Sequence, residues 1–149
     1  MITIDQIKKL REETQVSISE CKKALTEANG DFQKAKEILK EWGKDLVKKK
    51  TERDVKQGII ESYIHSNKKI GVMIEVCCET DFVAKNPDFQ KLAHELSLQI
   101  AAVCPSEESS LLEQPWIKDE TKTIKDLVDE YITRLGENII IKRFIRYEI

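Results

Sequence analysis

Ile70-Gly71-Val72-Met73-Ile74-Glu75-Val76-Cys77-Cys78-Glu79-Thr80-Asp81-Phe82-Val83-Ala84-Lys85-Asn86-Pro87 contains the change of hydrophobic period on which the architecture turns. Up to Cys78 the pattern alternates, so Ile70, Val72, Ile74, Val76 and Cys78 share one face of a strand that needs a cover. The cover follows at once: Phe89, Leu92, Ala93, Leu96, Ile100 and Val103 fall at helical spacing until Pro105 ends the run. Upstream, Ile59 to Ile64 alternates in the same way, and Ser66-Asn67-Lys68-Lys69 between the two runs reads as the turn of a β-hairpin. Downstream, Ser106 to Glu120 reads as a loop anchored by Pro115 and Trp116. A helix starts near Thr123, with Ile124, Leu127, Val128, Tyr131, Ile132 and Leu135 on one stripe and Gly136 at its exit. Asn138 to Tyr147 then supplies a last strand. The expected fold class is α+β, a three-stranded antiparallel sheet with helices on one face, the other face and the edges partly uncovered.

The first third of the chain reads as three short helices. Ile4, Ile7 and Leu10 mark one stripe. Ser17-Ile18-Ser19-Glu20 has the pattern of a capping box, after which Cys21, Ala24, Leu25 and Ala28 form a buried face that ends at Gly30. Asp31 caps a third helix, with Phe32, Ala35, Ile38, Leu39 and Trp42 on one side and a stop at Gly43. Lys44 to Arg53 is strongly basic and reads as a solvated connecting helix or linker. The expected domains are therefore a helical bundle over 1–43, a basic connector over 44–56 and an α+β core over 57–149.

Composition narrows the function. The 149 residues include 25 Lys and Arg against 27 Asp and Glu, a formal charge of −2, so no overall positive field draws nucleic acid to the chain. No direct nucleic-acid binding is expected. Apolar runs are far shorter than the ~20 residues that span a bilayer, and Met1 to Leu10 lacks the apolar stretch of a signal peptide, so the expected compartment is the cytoplasm, without membrane attachment. Cys21, Cys77, Cys78 and Cys104 lack the spacing of a disulfide framework or zinc ribbon and read as reduced thiols.

Phosphate-binding loops, nucleophile elbows and paired metal-binding histidines are absent from the sequence. His65 and His94 stand far apart and read as surface side chains. No covalent chemistry and no cofactor is expected. A thiol oxidoreductase built on Cys77 and Cys78 lacks the spacing that depresses a thiol pKa. The segment from Glu79 to Pro87 admits two readings. In one, Thr80 caps a turn while Phe82 and Val83 fill the domain's own core. In the other, the aromatic beside a carboxylate protrudes where the chain must turn. Spacing alone favours the former and leaves the latter open.

At these residues the chain resembles the elongation factor Ts family, nucleotide exchange factors for elongation factor Tu. The run from Glu79 to Asn86 matches the family's core motif. Leu10-Arg11 with Thr14, and Cys21 to Leu25 through Ala28 to Asp31, resemble its N-terminal ubiquitin-associated-like bundle. Gly71-Val72 through Glu75-Val76, Gln114 to Asp119, and Gly136 to Ile139 with Arg143-Phe144 resemble its sheet, late loop and closing strand. The resemblance implies that Asp81 and Phe82, flanked by Thr80 and Val83, wedge into the nucleotide-binding domain of elongation factor Tu near its magnesium site. It also implies docking by the first interhelical loop, where this chain departs from the family pattern and offers Leu10, Val16 and Ile18. The partner would be both GDP-bound and nucleotide-free elongation factor Tu. A single copy of the core subdomain, as in short family members, implies a homodimer bridging two partners. The alternative is a non-exchanging adaptor that binds a protein or RNA through the bundle and the basic connector.

Overall fold

The computed structural model describes all 149 residues, Met1–Ile149. It forms two compact units, Met1–Lys49 and Lys50–Ile149. The first holds α1 (Ile4–Thr14), α2 (Ile18–Glu27) and all but the last residue of α3 (Phe32–Lys50), since Lys50 belongs to the second unit. Thr3 opens α1 with a capping box: Gln6 N donates to Thr3 Oγ1 at 3.2 Å and Thr3 N donates to Gln6 Oε1 at 2.9 Å. The Ser17 box is only half made. Ser17 Oγ accepts from Glu20 N at 3.3 Å, while the Glu20 carboxylate takes the Ser17 hydroxyl at 3.2 Å instead of its backbone amide. Ile7, Leu10, Cys21, Ala24, Leu25, Ala28, Ala35 and Leu39 form the core of this unit. Ile4, placed on the same stripe by spacing, is exposed. The α2–α3 turn puts both Asn29 and Gly30 at positive φ, +53° and +84°, residue types that tolerate this region.

The third helix does not stop at Gly43; it continues to Lys50. A mid-helix glycine costs only about 1 kcal/mol relative to alanine. The Lys-rich run beyond it has helix-forming side chains that continue the turn. The expected connector is thus helical in its first half.

The second unit runs β1 (Gln57–Ile64), β2 (Ile70–Cys78), α4 (Asp81–Ala84), α5 (Pro87–Val103), α6 (Glu108–Glu113), β3 (Pro115–Trp116), β4 (Asp119–Thr123), α7 (Ile124–Leu135) and β5 (Ile140–Glu148). Its sheet has the order β1-β2-β5, antiparallel throughout, with β2 central and a bulge beside Glu75 and Val76. Val72, Ile74, Val76 and Cys78 are buried, and α5 lies against β1 and β2 with Phe89, Leu92, Leu96 and Ile100 fully enclosed. Each such side chain stabilises the fold by roughly 1.5–3 kcal/mol. Gly58 lets β1 approach closely, since a Cβ there would lie 2.4 Å from the Val76 carbonyl oxygen. Ile60, Ile64, Met73, Ile140, Ile145 and Tyr147 remain exposed. By alternation along the paired strands they occupy the sheet face opposite Val72 and Ile74.

The loop expected over Ser106 to Glu120 is instead α6 followed by a short β3–β4 ladder. Side chains of α5 organise it. Gln99 Nε2 donates to Pro115 O at 3.0 Å, Ile117 N donates to Gln99 Oε1 at 2.9 Å, and Lys118 pairs with Glu95 at 2.6 Å. Thr123 and Asp126 then make the capping box that starts α7, and Gly136 ends it at φ +78°.

Candidate partner-docking site

β2 delivers the chain to a sharp junction. Cys78 is the last buried residue of the strand, and its thiol donates to Thr80 O at 3.3 Å. Burial first, and then the negative charge of Glu137, push this thiol up to about 11. Thr80 is extended, and its hydroxyl oxygen accepts from Val83 N at 3.3 Å, which caps the one-turn helix α4. Within that turn, neighbours point in different directions. Val83 and Ala84 are buried, whereas Phe82 is 83% exposed. Asp81 faces solvent and pairs with Lys85 at 2.8 Å, one turn on; this bond holds the Lys85 ammonium above its usual pKa. Asn86 accepts from Asp88 N at 2.8 Å and Pro87 opens α5, so the chain turns into the covering helix at once.

The two readings of this segment each describe part of it. Thr80 caps and Val83 fills the core, but the ring of Phe82 stands in solvent. Thr80, Asp81 and Phe82 are therefore at the surface together. Val83, expected among the contact residues, is turned inward and cannot offer its side chain to a partner. Residues in a helix are rotated by about 100° from one to the next, which separates the two apolar neighbours.

In the helical unit the predicted docking residues also divide. Leu10 is wholly buried in the bundle core and is corrected from surface contact to core residue, because the stripe it shares with Ile7 faces α2 and α3. Val16 is half-buried against that core, and Ile18 is exposed. The turn leading from α1 to Val16 is held by Thr14, whose hydroxyl donates to Leu10 O at 2.7 Å, and by left-handed Gln15 at φ +59°.

Sequence reasoning missed the support of the junction. Glu137, just beyond α7, accepts from Glu79 N at 3.0 Å, from Thr80 N at 2.9 Å and from the Thr80 hydroxyl at 2.6 Å. In return Glu79 accepts from Asn138 N at 2.8 Å, and the Asn138 side chain donates to Arg53 O at 2.9 Å. Asn138 is 2% exposed. A polar residue directly after a helix-ending glycine was the available signal, but the partners of Glu137 lie 57 and 58 residues away. No group of three or more His, Cys, Asp or Glu side chains is placed to hold a metal ion. No helix is long and apolar enough to cross a membrane.

These features define a class: a helical unit followed by an α+β unit, with an acidic-aromatic pair raised on a strand-to-helix junction. A family profile described as Elongation factor TS matches residues 79–149. Proteins named elongation factor Ts are similar along nearly the whole chain. That of Coprothermobacter proteolyticus is 39% identical, with 99% of this chain and 98% of the relative aligned. That of Thermotoga maritima is 41% identical, covering 99% and 96%. That of Moorella thermoacetica is 38% identical, covering 100% and 96%. The chain belongs to the elongation factor Ts family. The first of these alignments extends over 193 positions against 149 residues here, so this relative carries segments that this chain lacks.

Proposed function

We propose that the chain acts in the cytoplasm as the nucleotide exchange factor of elongation factor Tu, and that Asp81 and Phe82 enter its nucleotide-binding domain near the magnesium site. The observation that supports this most is the exposure of Phe82. A large apolar ring held 83% in solvent, on a turn otherwise anchored by buried Val83 and Ala84, gains little from its own fold and has its burial energy available for a partner. Burying such a ring is worth roughly 1.5–3 kcal/mol. Spent between helices beside a bound diphosphate, that energy weakens the hold of magnesium and phosphate-loop amides on the nucleotide.

The coupling is reciprocal. If the factor lowers GDP affinity by some ratio, bound nucleotide lowers the factor's affinity by the same ratio, so incoming nucleotide ejects it. The step uses no nucleophile or base. The helical unit contributes docking through Ile18 and the exposed part of Val16.

Two copies associate in this reading through the sheet face that bears the exposed Ile60, Met73, Ile145 and Tyr147, apolar side chains that association would remove from water. Glu75, paired with Arg143 at 2.9 Å and Lys142 at 3.7 Å, supplies an ion-paired carboxylate beside those side chains.

The test is release of fluorescent GDP from purified elongation factor Tu with the full chain at substoichiometric concentration. Accelerated, multiple-turnover release supports the reading. Complex formation without acceleration identifies a non-exchanging adaptor and overturns it.

A further inference from the structure

A turn that displays an aromatic ring to water receives almost no packing energy for holding it there. α4 has four residues, Asp81–Ala84, too few to be a stable helix by itself. Val83 and Ala84 anchor its inner side, but the approach from β2 needs its own restraint. That restraint comes from across the unit. Both oxygens of Glu137 are engaged, Oε1 by the amides of Glu79 and Thr80 and Oε2 by the Thr80 hydroxyl at 2.6 Å. An ionised carboxylate only accepts hydrogen bonds, and all three groups that meet this one are donors. The clasp is reciprocal, since the Glu79 carboxylate holds Asn138 N at 2.8 Å. Gly136, between α7 and Glu137, has its carbonyl bonded by the Lys50 ammonium, which fixes the base from which Glu137 reaches.

We propose that Glu137 is a positioning residue for nucleotide exchange: through Glu79 and Thr80 it locks the β2–α4 junction so that Phe82 is presented outward in one pose. This rests on the reading of Phe82 as the wedge. The clasp preorganises a protruding group before the partner arrives, which removes an ordering cost from binding.

The experiment compares the full-length chain with Glu137→Ala, Glu137→Gln, Phe82→Ala and the double variant Glu137→Ala/Phe82→Ala. Stimulated GDP release is read well below the melting temperature of each. Glu137→Ala should lower the stimulated rate by about tenfold, the scale of one lost hydrogen bond to a charged group. Glu137→Gln should stay within about twofold of the parent, because its Oε1 still accepts both amides and its Nε2 can meet the Thr80 oxygen. In the Phe82→Ala background Glu137→Ala should cost nothing further, the non-additivity expected of a group that acts through another. Amide hydrogen exchange at Thr80 to Val83 should quicken in Glu137→Ala while that of Ile74 to Val76 is unchanged.

A full additive loss in the double variant, or unaltered amide exchange at the junction, overturns the positioning role. So does a parental release rate in Glu137→Ala. If Phe82→Ala itself has no effect on release, the wedge reading fails, and the positioning role with it. If Glu137→Ala does not fold, Glu137→Asp replaces it, its carboxylate drawn back by one methylene from the same three donors.

Discussion

Phe82→Ala separates a displayed ring from a packed one by the size of two independent effects. With the ring 83% exposed, only about a sixth of a side chain that can bury 150–250 Å² is covered, so truncation forfeits about 1 kcal/mol of stability or less. Alanine's better helix propensity returns about 0.5 kcal/mol of that in α4. For a unit of about 100 residues, 1 kcal/mol moves the melting temperature by ~4–8 °C. The expected shift, measured by circular dichroism, is under ~4 °C. If the ring is buried on elongation factor Tu, its removal costs the transition state for release about 1.5–3 kcal/mol, or about 10- to 150-fold in stimulated GDP release at limiting factor. A core phenylalanine behaves in the opposite way, losing about 3–5 kcal/mol of stability on truncation. A melting temperature lowered by more than ~10 °C, or release unchanged within the error of the assay, would refute the reasoning.

Leu10→Ala should destabilise the helical unit by about 3 kcal/mol because it opens a cavity in the bundle core, whereas Ile18→Asp should leave thermal unfolding unchanged and weaken binding to elongation factor Tu. Calorimetry on both variants distinguishes core from contact. Gly58→Ala should lower the stability of the second unit by about 2 kcal/mol or more, since the new methyl meets the Val76 carbonyl oxygen and β1 must withdraw; denaturant unfolding reads this directly. The Cys78 thiol, raised from 9.0 to about 11 in the folded chain, favours the protonated form on folding. Its contribution is complete below pH 9 and is lost as pH rises from 9 to 11. Alkylation at pH 8, followed by mass spectrometry, should accordingly find exposed Cys104 modified well before Cys78.

Much of the fold was legible because its long elements bury one face each. The alternation from Ile70 to Cys78 and the stripe from Phe89 to Val103 met no competing signal, and β2 and α5 formed where that pattern places them. Gly43 misled because propensity is a local quantity, and a single glycine does not outweigh the helix-forming run beyond it. The β3–β4 ladder was hidden because Asp119 to Thr123 has no apolar alternation; Gln99 and Glu95 of a distant helix hold the hairpin in place. Within the site, the motif was visible but the directions of its side chains were not, since one turn of helix is too short for periodicity to decide which of Phe82 and Val83 faces inward. The contacts of Glu137 were invisible for a different reason: its hydrogen bonds to Glu79 and Thr80 exist only after α7 and β5 return the chain to the start of α4.

That return also sets an order of events. The central strand β2 has one neighbour made before it and one, β5, made from residues 140–148. During synthesis the hairpin can pair early, but the carboxylate that fastens its exit must wait until the far end of the unit has left the ribosome. A growing polypeptide therefore carries the Phe82 turn without its Glu137 clasp until the last stretch of the unit has emerged.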